Sequence, residues 1–238
     1  MVQPAPPALA VRKPNMHVKE IWRYPVKSMS GESLDRVHID KLGLADDRKV
    51  LVCDANGRVL TSRTHHKLLG LKGSLGADGQ PHIGGHLWNA PEALALVRGA
   101  AGPAADLIYY EGPERFDVLP LLVATDGGID AFGHDGRRLR PNIVVGGVEG
   151  LAERSWPGKC LRIGKVLIGV QDLRGRCVMT TFDPDTLEQN QHVLKEIVQK
   201  FDGELALNCY VIHGGEVHVG DAVQLLGDHE CEMNRASH

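Results

Sequence analysis

From His17 to Tyr24 the large apolar residues Val18, Trp22 and Tyr24 fall on even positions and the cations Lys19 and Arg23 on odd ones. That is the period-2 pattern of a half-buried strand. Glu20 and Ile21 break the alternation, and Pro25 ends it. Similar short runs bounded by turn residues predict strands over 33–39, 49–53, 59–62, 106–110, 142–145, 161–163, 166–170, 208–212, 216–219 and 222–226. The strongest hairpin signal is Asn56-Gly57 between 49–53 and 59–62. Helical periodicity is rarer. Leu187, Leu194, Ile197, Val198 and Phe201 share one face of a segment closed by Gly203, and 125–132 reads as a short helix despite Gly127-Gly128. Many strands and two helices predict a β-rich α+β fold with few short helices.

Composition narrows the class. The 238 residues are 42% hydrophobic and 24% charged, a globular mix. Their 28 glycines exceed the average share and punctuate the strands. A net charge of -3 argues against nucleic acid as a partner. The apolar run Val118–Ala124 contains Pro120 and is far too short to span a membrane. Residues 1–15, rich in proline, read as a disordered arm, and 228–238 as a polar tail. Five cysteines without a Cys-x-x-Cys pair argue against a disulfide framework or a cysteine-built zinc site, and fit a reducing, cytoplasmic location. A lobe seam is expected in the Gly/Pro-rich region between Gly70 and Pro103.

Candidate chemistry gathers at strand ends. Cys177 follows a strand and precedes Asp183-Pro184-Asp185-Thr186, which places a thiol on a loop. Arg174 and Arg176 beside it favour the thiolate, the form that attacks as a nucleophile or binds a soft metal. The competing reading is a buried structural cysteine. Lys27, Ser28, Asp47-Arg48, Arg63, Thr125 and Arg140-Pro141-Asn142 stand at other strand ends, where arginine forks and neutral hydrogen-bonding groups suit an anionic or heteroaromatic ligand. Taken singly, each reads first as a solvated surface charge or a turn residue. His65-His66 would point to opposite faces of a strand, and His82 and His86 flank Gly84-Gly85, which predicts a flexible loop rather than a metal-ligating helical pair. Nucleotide-binding glycine loops and a Gly-x-Ser-x-Gly elbow are absent.

Several segments occur in a telling order: Tyr24-Pro-Val-Lys-Ser28, Gly43-Leu-Ala-Asp-Asp-Arg48, Leu139-Arg-Pro-Asn-Ile-Val-Val145, Arg176-Cys-Val-Met-Thr-Thr-Phe-Asp-Pro-Asp-Thr186 and Val219-Gly-Asp-Ala-Val223. Together they resemble the MOSC superfamily, in particular its amidoxime-reducing branch with an amino-terminal β-barrel lobe. The resemblance runs over about 18–226 and implies a MOSC β-barrel domain over 106–227 packed with a smaller amino-terminal lobe over 16–105. It also implies a molybdenum–molybdopterin cofactor, not pyridoxal phosphate, with Cys177 as the metal ligand. Lys27, Ser28, Arg48, Arg140 and Asn142 match the pterin-holding positions, and Gly175 and Arg176 would line the cysteine loop. Thr125, Asp126 and Asn208 fall where the family has further contacts, while Arg63 matches by position alone. The implied reaction is oxygen-atom abstraction from N-hydroxylated small molecules, with Cys177 tuning the metal and Asp126 or a water relaying protons.

No Cys-x4-Cys-x2-Cys segment follows Leu226, so electrons are expected from a separate ferredoxin, flavoprotein or cytochrome-type donor. The stretch from Gly70 to Asp117 is hard to match, which predicts a remodelled substrate wall. Two other readings compete with the reductase: a sulfur-transfer or cofactor-carrier protein using Cys177 as persulfide or ligand, and a small-molecule binding protein that has lost the cofactor.

Overall fold

The computed structural model describes residues 16–227 and 230–231; the expected amino-terminal arm and most of the expected tail lie outside the described residues. Eight strands form one sheet in the order Val223–Leu226, Cys160–Ile163, Val166–Gly175, Glu204–His213, Leu121–Thr125, Ile143–Gly146, His17–Arg23, Glu32–Leu34. Neighbours run antiparallel, except that Leu121–Thr125 and Ile143–Gly146 are parallel. The sheet closes on itself: Val18 N–H donates to Asp221 O at 2.9 Å, and Gly220 N–H to Val18 O at 2.8 Å. Closure removes the open edges a strand-rich fold would otherwise expose.

The interior is filled by β-branched and leucine side chains, among them Val18, Ile21, Val123, Ile143, Leu161 and Ile168, each at most 1% exposed. A three-stranded sheet of Gly43–Leu44, Arg36–Asp40 and Gly215–His218 adds Ile39, Leu44 and Val217 to the same core. The first strand explains its own broken pattern. Its pairing with Ile143–Gly146 shifts register between Val18 and Glu20, so Val18 and Ile21 both reach the core across a bulge.

A second core, built on Val26, Met29, Val50, Val52, Leu68, Ile83, Ala93 and Val97, holds the smaller lobe. Here Val50–Cys53 pairs with Val59–Leu60 across the Asn56-Gly57 turn, and with Asp106–Tyr109 on its other side. Hydrogen bonding thus interleaves the two halves of the chain: the first strand lies in the large sheet, and Asp106–Tyr109 lies in the small one. Three helices flank the cores, one of them the short helix Asp126–Phe132 expected from sequence. Pro91–Ala101 lies in the smaller lobe, and Gln191–Phe201 packs Val193, Ile197 and Phe201 against Phe132, Leu139 and Leu205.

Several expectations need correction. The run 33–39 is two strands broken at Asp35, because Glu32–Leu34 pairs with the first strand while Arg36–Asp40 turns away to Gly215–His218. The helix expected from Leu187 starts at Gln191, capped by the Asn190 side chain, and Leu187 itself sits at φ 60. His82 and His86 lie in a tight hairpin, not a flexible loop, with Gly84 and Gly85 at positive φ in its turn. Cys160 and Cys231 are joined in a disulfide, against the expectation drawn from cysteine spacing. The pairing bridges 71 residues because Cys231 follows the last strand, and that strand lies beside Cys160. Among the described residues no helix is long and apolar enough to cross a membrane.

Candidate functional site

Two long strands carry the site outward. Val166–Gly175 is buried through Val170 and exposed or half-buried beyond, so its last turn leaves the barrel before delivering Arg174, Arg176 and Cys177. Its partner Glu204–His213 supplies Asn208, whose Nδ2 donates to Asp172 Oδ1 at 2.6 Å and whose Oδ1 accepts from Arg174 at 3.4 Å. Gly175 ends the first of these strands, and a Cβ there would meet nothing within 4 Å. Cys177 is half-buried and opens a 3-10 turn, Val178–Thr181, in which the Thr180 hydroxyl donates to Cys177 O at 2.9 Å.

Asp47 ties the scattered motif segments together. Its fully buried carboxylate accepts from Tyr24 N–H at 2.7 Å and from Asn142 Nδ2 at 3.1 Å, and pairs with the Arg48 guanidinium. Asn142 Oδ1 in turn accepts from Leu122 N–H at 3.2 Å. The Tyr24–Ser28 segment lies along Arg48–Val50, with Arg48 N–H donating to Tyr24 O and Lys27 N–H to Val50 O. Ser28, Arg48 and Arg140 all adopt left-handed backbone, at φ 71, 56 and 55. Non-glycine residues hold such conformations only where surrounding contacts compel them, a pattern that clusters at binding sites.

The electrostatics are those of a cationic basin. Arg140 stacks over the Tyr24 ring at 4.3 Å and Arg48 over the same ring at 5.0 Å. Burial lowers Arg140 to about 10, against the opposing pull of Tyr24, and it raises Tyr24 to about 12. Burial, with Arg174 adding like charge, also brings Arg176 down to about 10. Asp117 pairs with Lys27 at 2.9 Å, Arg63 at 2.7 Å and Arg174 at 3.7 Å. Burial pushes the Asp117 carboxyl up, but the three cations outweigh it and hold it below the usual carboxylate range. Arg63 also contacts Cys177.

Two hollows open on this basin. One, of about 320 Å³, is lined by Trp22, Tyr24, Arg138, Arg140, Met179 and Phe182, among others. The other is a small cleft that brings Arg48, Asp117, Asn142, Arg174 and Asn208 together. The arrangement fits an anionic, partly aromatic group beside a soft thiolate. The decisive sign is Arg176: one nitrogen donates to Leu139 O at 2.8 Å, while Nε and Nη1 are buried without a partner. Buried guanidinium donors left unpaired cost stability, and an anion would relieve that cost.

Of the residues expected from sequence, Lys27, Arg48, Arg63, Arg140, Asn142, Arg176, Cys177 and Asn208 are joined in this network of contacts and charge coupling. Ser28 follows Lys27 in the same left-handed turn. Thr125 and Asp126 have backbone tasks instead. Thr125 Oγ1 accepts from Gly128 N–H at 2.9 Å, and the Asp126 carboxylate accepts from the amides of Gly127, Val148 and Gly147 at 2.8–3.0 Å. Burial opposes ionisation of Asp126, yet these amides hold its carboxyl below the usual range. Sequence reasoning left out Asp117 as a site residue, since no local pattern distinguishes it. It gave Asp47 only as Arg48's neighbour, whereas its burial makes it the hub.

Comparison with known proteins agrees with this geometry. The MOSC domain model matches residues 129–224, and the MOSC N-terminal beta barrel domain model matches 15–84. The chain is 24% identical to human (Homo sapiens) mitochondrial amidoxime-reducing component 1, covering 88% of this chain and 83% of that protein; the mouse (Mus musculus) protein gives 23%, 88% and 82%. The crystal structure of the YUAD protein from Bacillus subtilis shares the fold, with a TM-score of 0.50 at 12% identity over 89% of this chain and 95% of that one. With both halves matched in order and the cysteine loop, Arg140 and Asn142 drawn into one basin, the chain belongs to the MOSC domain family, in the form that carries a MOSC N-terminal beta barrel.

Proposed function

We propose that the chain binds a molybdenum–molybdopterin cofactor and reduces N-hydroxylated small molecules. The observation that carries this reading is the pair of unpartnered buried Arg176 donors one residue from the exposed-side thiol of Cys177, within a basin where cations outnumber carboxylates. When bound, the cofactor supplies two-electron oxygen-atom abstraction, in which an N–OH group, two electrons and two protons give N–H and water.

The chain's own residues do the rest. Cys177 would hold the metal through its sulfur, with Arg63 in contact and Arg174 and Arg176 beside it. Arg140 and Arg176 would take the pterin phosphate, with Lys27, Ser28, Arg48 and Asn142 setting the rim that orients it. The Tyr24 ring stacks with Arg140 and Arg48, which fixes both guanidinium planes before a ligand arrives. The relatives are named as amidoxime-reducing components, which supports N-hydroxylated amidines as a substrate class. Electrons would come from a separate redox protein.

Protein purified from a host that makes the cofactor should contain about one molybdenum and one releasable pterin per chain, read by elemental analysis and pterin fluorescence. Cys177→Ala should lose molybdenum and turnover of an N-hydroxylated amidine while melting like cofactor-free wild type. A metal-free, folded wild-type chain carrying a persulfide on Cys177 would sink the reductase reading in favour of sulfur transfer.

A further inference from the structure

A basin holding Lys27, Arg48, Arg63 and Arg174 should attract any small oxyanion to the cleft near Cys177. One side chain opposes that. Asp117 reaches Lys27 at 2.9 Å through Oδ1, and Arg63 at 2.7 Å and Arg174 at 3.7 Å through Oδ2, so a single carboxylate engages three of the four cations. The fourth, Arg48, is paired with Asp47. Asp117 also lines the small cleft with Arg174, Asn142 and Asn208, so its charge lies where a small molecule would enter. The cleft is otherwise apolar, through Phe116, Val118, Leu119, Leu121 and Leu122.

We propose that Asp117 is a specificity-determining residue: a built-in counter-anion that denies Lys27, Arg63 and Arg174 to free oxyanions and leaves the cleft selective for uncharged or cationic small molecules. The argument is one of competition. An incoming phosphate or nitrate must displace a carboxylate already held by three cations at fixed distance, and it meets that carboxylate's repulsion while doing so. A neutral N–OH compound meets neither obstacle and finds an acceptor in the carboxylate. Among the described residues Arg140 and Arg176 make no ion pair: Arg140 stacks on a ring and feels Asp47 and Asp117 only at longer range, and Arg176 makes a single carbonyl hydrogen bond. The basin is therefore divided into cations reserved for the cofactor's anion and cations already neutralised at the substrate side. The substrate half of this statement rests on the proposed function; the exclusion of oxyanions does not.

The test uses inorganic phosphate as the probe and the full chain as purified, at matched ionic strength. Asp117→Asn, which keeps the shape and one acceptor oxygen but removes the charge, should bind phosphate about tenfold more tightly than wild type or better by calorimetry. Adding Arg174→Gln to that variant should return the affinity to the wild-type value. Glu196→Gln, an acid paired with Lys200 that lines neither hollow, controls for net charge and should change nothing. An affinity unchanged in Asp117→Asn, raised equally in Glu196→Gln, or still raised in the double variant would overturn the proposal. Wild type gives a reading even if Asp117→Asn does not fold: any phosphate-specific rise in its Tm belongs to Arg140 and Arg176 and should survive Arg174→Gln, and a rise that Arg174→Gln abolishes would overturn the idea. Failure of the proposed function would appear separately, as wild-type protein without molybdenum or pterin, whatever the phosphate affinities.

Discussion

Asp47 illustrates how much a single buried carboxylate can organise. It has no exposure, yet it binds a backbone amide of one motif, the guanidinium of a second and the amide side chain of a third. Removing it leaves Arg48 partly buried without its pair and strips Asn142 of an acceptor, a loss of ~3–5 kcal/mol for breaking one side of a buried ionic network. Asp47→Ala should therefore lower the unfolding free energy by that amount, read as a lower urea midpoint with little change in m, and lose cofactor content as well. Asp47→Asn, which keeps one acceptor oxygen for the Tyr24 amide, should recover part of the stability. The residues matched from sequence were found because arginine, asparagine and cysteine occur in recognisable local strings. Asp117 was not, because its partners Lys27, Arg63 and Arg174 come from three distant segments.

At the scale of elements, legibility depended on how many faces each one buries. The first strand alternates and was readable, and even its irregularity at Glu20 and Ile21 has a cause in the bulge. Leu121–Thr125 is flanked by strands on both sides and largely buried, so its run has no alternation to read and was noted only as too short for a membrane span. Pro91–Ala101 was missed because its alanine-rich sequence has a weak apolar stripe and lies between glycine clusters, although Pro91 at its start fits a helix N-terminus. The helix Gln191–Phe201 has the clearest amphipathic pattern and packs on the 3-10 turn that follows Cys177. Ile197→Ala, at a position with no exposure, should cost ~2–5 kcal/mol in chemical denaturation as a core cavity opens beneath that turn.

For the whole molecule, three carboxyl groups give stability a definite shape against pH. Asp117 and Asp126 have folded values below the ordinary carboxylate value, so their contributions are complete above about 4 and are lost as pH falls through the lowered values. Glu153 runs the other way. Burial raises its carboxyl, and one of its oxygens has no partner, so its contribution is present below about 4.3 and is lost as pH rises through the raised value. Tm should accordingly rise on going from neutral to mildly acidic pH and then fall steeply below about 4. Glu153→Gln should remove the rise and leave the acid fall intact, as read from a thermal-melt series across pH. A monotonic decline from neutral pH in wild type would contradict the assignment.

The sequence by itself determined the β-rich class, most strand positions, the Asn56-Gly57 hairpin and the identity of the cysteine loop, because these depend on periodicity, turn chemistry and short contiguous strings. Only the tertiary structure decided that the sheet closes through His17–Val18 and Gly220–Ala222, that Asp126 anchors backbone, that Cys160 meets Cys231, and that Asp47 and Asp117 hold the cations of the basin. Apart from Asp47 and its neighbour Arg48, those outcomes join residues from about twenty to about two hundred positions apart. The balance of charge around Cys177 is set by which strand ends the barrel brings together, and local sequence carries no record of that.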